Sequence, residues 1–130
     1  MDLSVGAPGK TLGTKFFLLC WIANLVIYLA FFPLVVCHAL CWLYQLIAFS
    51  IYDIPKIRLH DYLSVDRGKL KKLNGVQRLN CVYCGYANGV LAWMTATAHQ
   101  TEAYACGIKH NVMKVGQEYQ KDFHEYKKFL

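Results

Sequence analysis

Hydrophobic and polar positions divide the chain into two regimes. From Phe16 to Tyr52, 37 residues pass without an Asp, Glu, Lys or Arg, whereas 19 of the 22 charged residues fall between Asp53 and Leu130. A membrane-crossing helix needs about 20 mostly apolar residues, so the pattern predicts a transmembrane segment over residues 16–52. Pro33 stands near its middle. It either kinks one long helix, with the second half continuing as a span or lying at the interface, or turns a two-span hairpin. Its neighbours Phe31, Phe32, Leu34 and Val35 carry no turn chemistry, which favours the single kinked helix.

Downstream the pattern changes. Asp53-Ile54-Pro55-Lys56 ends the apolar helix, and a basic juxtamembrane segment follows over residues 53–80. Asn88 and Gly89 are suited to open a helix whose body, Val90, Leu91, Trp93, Met94, Ala98 and Ala105, is largely apolar. Tyr119, Phe123, Tyr126 and Phe129 recur at helical spacing, which predicts an amphipathic helix in the tail over 111–130. The expected architecture is mainly α. An N-terminal tail (1–15) and a long transmembrane helix precede a small helical cap, whose Cys and His residues fall within 81–110.

A length of 130 residues, 56% of them hydrophobic, excludes a large two-domain enzyme. The apolar stretch is too long for a cleaved secretory signal and lacks its small-x-small site. Lys10 and Lys15 precede the stretch, and Lys56, Arg58, Arg67, Lys69, Lys71, Lys72 and Arg78 follow it. The positive-inside rule then places the C-terminal half in the cytoplasm, with the chain in the inner cell membrane. Arg67, Lys69, Lys71 and Lys72 are suited to anionic lipid headgroups. No aromatic residues interleave with these cations, which argues against a nucleic-acid partner.

The polar half carries the candidate chemistry. Cys81-Val82-Tyr83-Cys84-Gly85 is C-x2-C followed by Gly, and Cys106-Gly107-Ile108-Lys109-His110 is C-x3-H. Thiols facing the cytoplasm stay reduced, and three thiolates with one imidazole form a tetrahedral set for zinc, or for iron in a mononuclear or iron-sulfur site. Cys81, Cys84, Cys106 and His110 are therefore the expected metal ligands. The competing reading is two unrelated cysteines, a third buried one and a surface His. Convergence is demanding, because a helix from Val90 to Ala105 carries the chain about 24 Å. Either the C-x2-C turn folds back along that helix, or the helix breaks near Thr95–Thr97 or starts later. An alternative set is His99, Glu102, Cys106 and His110, whose spacings of three, four and four put them on one helical stripe. Within the apolar half, His38 either ligates a haem or pigment metal or makes a helix-helix hydrogen bond.

The run from Ile54 to His110, with Leu79-Asn80-Cys81-Val82-Tyr83-Cys84-Gly85-Tyr86-Ala87-Asn88-Gly89 and Thr101-Glu102…Tyr104…Cys106…Ile108-Lys109-His110, resembles a family of small uncharacterised bacterial membrane-associated proteins with no assigned activity. The resemblance covers a little under half the chain. It implies that Cys81, Cys84, Cys106, His110 and Glu102 are fixed positions. Gln100 stands where the family tends to have Arg, which leaves Glu102 without that charge partner. Gly107 stands where it tends to have Pro, which lets the helix run on.

No Ser-His-Asp set, phosphate-cradling loop or zincin signature occurs, and no enzymatic activity is expected. The expected function is a small membrane-anchored accessory subunit. Its zinc-organised cap docks onto a larger membrane complex, a bioenergetic one among the candidates. The alternatives are an iron-binding electron-transfer protein at the membrane surface and a pigment or haem protein ligated by His38.

Overall fold

The computed structural model describes residues 14–130; the expected N-terminal tail lies, but for Thr14 and Lys15, outside the described residues. The chain is mainly helical and, among the described residues, contains no strand. Helix α1 (Thr14–Leu29) continues into α2 (Phe31–Tyr44) and a π-helical turn (Gln45–Phe49). The 33 residues Phe17–Phe49 form one helix long and apolar enough to cross a membrane.

Pro33 does not turn a hairpin. Lacking an N–H, it cannot pair with the carbonyl four residues back, and the helix is interrupted for the single residue Ala30. Hydrogen bonds from Ala30 N to Val26 O (3.1 Å) and from Leu34 N to Ala30 O (3.2 Å) carry it through. The far end is closed as the sequence predicts. Asp53 takes a left-handed conformation (φ 53°), and Ile54 N donates back to Phe49 O at 2.9 Å, the six-to-one bond of a Schellman cap, with Pro55 just beyond.

A second long helix, α3 (Gly75–Ala105, 31 residues), is the main departure from expectation. It begins fifteen residues before the predicted Val90. The signal is Asn74-Gly75-Val76-Gln77, a reciprocal capping box: the Asn74 side chain accepts from Gln77 N (2.9 Å), and Gln77 Oε1 accepts from Asn74 N (3.1 Å).

Helices α2 and α3 lie parallel. Tyr83 Oη donates to Ile27 O (2.8 Å), Tyr28 Oη donates to Asn80 Oδ1, Phe31 packs on Tyr83 and Tyr86, and His38 meets Tyr86 and Trp93. Farther along, Gln45 bonds Thr97, Tyr44 bonds Thr101, and Tyr52 packs on Tyr104.

Parallel neighbours need a return connection, and residues 54–74 supply it. This strap runs back along α3 with short 3-10 turns at Leu59–Asp61 and Asp66–Lys69. Trp93 Nε1 donates to Ile57 O at 2.8 Å, and the backbone of residues 62–65 then presses on Gly89 and Gly85. A Cβ at Gly85 would stand 2.4 Å from Ser64 O, and one at Gly89 2.7 Å from Tyr62 O. Only glycine permits this approach. The small core, Phe49, Ile54, Val90 and Trp93, sits where α2, the strap and α3 meet.

The tail forms no amphipathic helix. It makes 3-10 turns at Glu118–Asp122 and Tyr126–Phe129 and folds back on the end of α3. His124 N donates to Gly107 O and Lys109 N donates to His124 O, both at 2.8 Å, so these backbone groups are satisfied outside a helix.

Candidate functional site

The expected metal ligands are held apart by the helix that contains two of them. Cys81 and Cys84 lie in the first third of α3, where Gly85 continues the helix and backs the strap; it does not turn a knuckle. Cys106 is the C-cap of the same helix. No break occurs near Thr95–Thr97, where Thr97 Oγ1 donates to Trp93 O (2.9 Å) and Thr101 Oγ1 to Thr97 O (2.9 Å). The 22 residues from Cys84 to Cys106 therefore separate them by about 33 Å along the axis. Nor do Cys106 and His110 share a helical face, because α3 stops at Ala105. Three thiolates and an imidazole must all fall within about 2.3 Å of one ion. Cys81, Cys84, Cys106 and His110 do not fit zinc or iron as a four-ligand site within one chain. Among the described residues, no group of three or more His, Cys, Asp and Glu side chains is arranged to hold a metal ion.

The alternative stripe is partly assembled, with a different chemistry. Glu102, in the last turn of α3, receives the tail: Gln120 Nε2 donates to Oε1 (2.9 Å), Tyr119 Oη donates to Oε2, and His110 Nε2 stands 3.5 Å from Oε1. His99, one turn earlier, stacks on the Tyr119 ring with centroids 3.6 Å apart. Gln120 is fully buried, and its Oε1 accepts from His110 N at 3.3 Å. Uncharged donors from the tail thus satisfy the Glu102 carboxylate. Desolvation, then the bond to Glu102, pushes the Tyr119 phenol above its ordinary range, so it is a neutral donor near pH 7. Beside this clasp, Lys109 Nζ pairs with Glu125 Oε1 at 2.5 Å, which holds that exposed carboxyl below its ordinary range.

His38 is engaged between helices. Its Nδ1 shares a hydrogen bond with Tyr86 Oη (2.9 Å), and its ring meets Trp93 edge-on at 5.6 Å. The helix-helix bond is the geometry present. Arg67 and Lys69 lie in a 3-10 turn of the strap and Lys71 and Lys72 in the approach to α3, all four exposed.

No protein-family model, no curated protein and no solved structure matches this chain. Its function is therefore read from its own geometry.

Gln45 is the connecting residue that the sequence reading passed over. Buried inside the π-helical turn, it donates from Nε2 to Thr97 Oγ1 (2.8 Å) and accepts from Ile57 N (2.9 Å), joining α2, α3 and the strap. The available signal was one of two amides, Asn24 and Gln45, in a run of 37 uncharged residues, where a polar group requires a partner. With His38–Tyr86, Tyr44–Thr101 and Tyr83–Ile27 it makes a polar seam along one side of an otherwise apolar helix. Such a seam aligns two helices.

Proposed function

We propose that the protein is a small membrane-bound accessory subunit that uses α1 and α2 to hold a folded cap, made of α3, the strap and the tail, at the inner face of the cell membrane for docking onto a larger membrane complex. The observation that carries this reading is the division of α2 into two faces. His38, Cys41 and Gln45 turn to α3, while Phe32, Val36, Leu40, Leu43 and Ile47 stay exposed. Water around that outer face costs roughly 25 cal/mol per Å², and lipid removes the cost. Exposed Arg67, Lys69, Lys71 and Lys72 add attraction to anionic headgroups at about 1 kcal/mol each near the surface.

Zinc or iron has no part in this reading, because the four expected ligands lie too far apart. The cap is organised by Gly85, Gly89, Gln45 and Glu102, which do with backbone contact and hydrogen bonds what a metal was expected to do. Flotation of the purified full-length chain with vesicles of mixed neutral and anionic phospholipid tests the membrane part. Co-flotation that survives high salt is expected; recovery of the chain at the bottom of the gradient refutes the proposal.

A further inference from the structure

A helix that binds a membrane need not cross it, and the neighbours of α2 determine which occurs. From Thr14 to Ile51 the helical run is about 57 Å long, nearly twice the hydrocarbon thickness of about 30 Å. A crossing must therefore choose a window within it. Upstream of Ile27, where α3 joins, only about 18 Å separates the apolar stretch from Lys15, too little to cross. Any longer window takes in a part of the helix that α3 and the strap accompany.

The strap is charged along its whole course. Lys56 and Arg58 flank Ile57, which is bonded to both Gln45 and Trp93. Asp61 precedes the residues that press on Gly89, and Asp66, Arg67 and Lys69 surround Gly68, where an added Cβ would stand 2.9 Å from Val82 Cγ2. All six are exposed. In a crossing along the bilayer normal, these groups would enter the hydrocarbon beside α2, where ionised side chains without partners are strongly disfavoured.

A crossing also covers only about 30 Å of the roughly 57 Å helical run and leaves the rest of its apolar surface in water. The stripe Phe32, Val36, Leu40, Leu43, Ile47 and Ile51 repeats at four, four, three, four and four, and its members are 46–71% exposed. It lies on the side of α2 away from α3. Leu40, Leu43, Tyr44, Ile47 and Ala48 border a shallow, open apolar depression beside it. One orientation covers the stripe and leaves the strap in water: α2 lying along the membrane, outer face down. Helix α1, apolar on all sides, then continues into the same leaflet, tipped at Ala30–Pro33.

Resting on the membrane-bound reading above, we infer that the chain is monotopic: α1 and α2 are embedded in one leaflet of a phospholipid bilayer, and both ends of the chain remain on the same side. The occupant of the apolar face is lipid, and the contact runs the length of α2.

The test places one peptide tag at each end of the full chain and exposes inverted membrane vesicles and spheroplasts to protease. Both tags are expected to be removed from inverted vesicles and neither from spheroplasts; removal of one tag from each face overturns the inference and leaves membrane binding intact. A hairpin would also put the tags together, so a Phe32→Cys chain lacking its other cysteines is treated with a membrane-impermeant maleimide. No labelling from the face opposite the tags is expected, and labelling there overturns the inference. A chain found in neither membrane preparation overturns the membrane reading itself.

Discussion

Gly85→Ala gives the docked strap a test whose sign is decisive. In a helix interior, replacing Gly with Ala gains about 0.5–1 kcal/mol, because glycine loses more backbone freedom on folding. In α3 that gain meets backbone: the added Cβ would stand 2.4 Å from Ser64 O, and at Gly89 it would stand 2.7 Å from Tyr62 O and 2.8 Å from Leu63 Cδ2. An ordinary contact is about 3.5 Å, so the strap must retreat by about 1 Å at Gly85, and overpacking of this kind costs typically 1–3 kcal/mol. The net expectation is destabilisation by about 1–2 kcal/mol for each substitution. The double variant should cost less than the sum, because a strap already lifted at Gly85 clears Gly89. Gly75→Ala is the control, since a Cβ there meets nothing within 4 Å. Thermal unfolding in detergent micelles measures the effect, and tryptic cleavage at Arg58, Arg67 and Lys69 reports whether the strap has lifted. If Gly85→Ala and Gly89→Ala stabilise the protein by the same amount as Gly75→Ala, with no faster cleavage, the strap is not seated on α3.

Three further outcomes follow from the same structure. Gln45→Leu leaves the Ile57 N–H and Thr97 hydroxyl without that partner and should cost about 1–3 kcal/mol in the same unfolding assay. An unchanged midpoint would show that the seam does not join the elements. Because the folded Tyr119 phenol titrates above its ordinary value of 10, its contribution is fully present below pH 10 and falls as pH rises through the folded value. The unfolding midpoint should therefore fall at high pH by more in the wild type than in Tyr119→Phe; equal falls would refute that role for Tyr119. If reduced protein takes up zinc at Cys81 and Cys84, Cys106→Ser and His110→Ala should titrate as the wild type does, and a matched loss of affinity in both would restore the single-site reading.

What the sequence disclosed and what it hid differ in physical range. The apolar helix and its closure at Asp53–Pro55 were legible because hydropathy and cap chemistry are local. The start of α3 was also written locally, in Asn74-Gly75-Val76-Gln77, but Cys81, Cys84 and Gly85 suggested a metal knuckle and drew the reading away from it. Gly85 and Gly89 serve the strap, which touches them from twenty or more residues earlier in the chain, and no local pattern reports that contact. Glu102 drew attention as a ligand in a helical stripe, yet its partners Gln120 and Tyr119 come from a tail whose aromatic spacing imitated a helix. At Gly85 the glycine that a metal knuckle would need is instead the place where two backbones meet closely.

The seam explains why a long apolar helix accepts so particular a neighbour. In a hydrocarbon setting apolar side chains gain little by meeting each other, since lipid is as favourable a surrounding, and alignment falls to hydrogen bonds and close packing. His38–Tyr86, Gln45–Thr97 and Tyr44–Thr101 are spaced along α2 so that sliding α3 by one turn, about 5.4 Å, would break all three together. Gln45 adds the strap to the same register through Ile57 N, and Trp93 repeats the link from the opposite helix through Ile57 O. Ile57 is therefore held from both helices at once. That double hold directs the strap back along α3 toward Gly89 and Gly85, and so keeps its cations beside the apolar helix and off its exposed outer face.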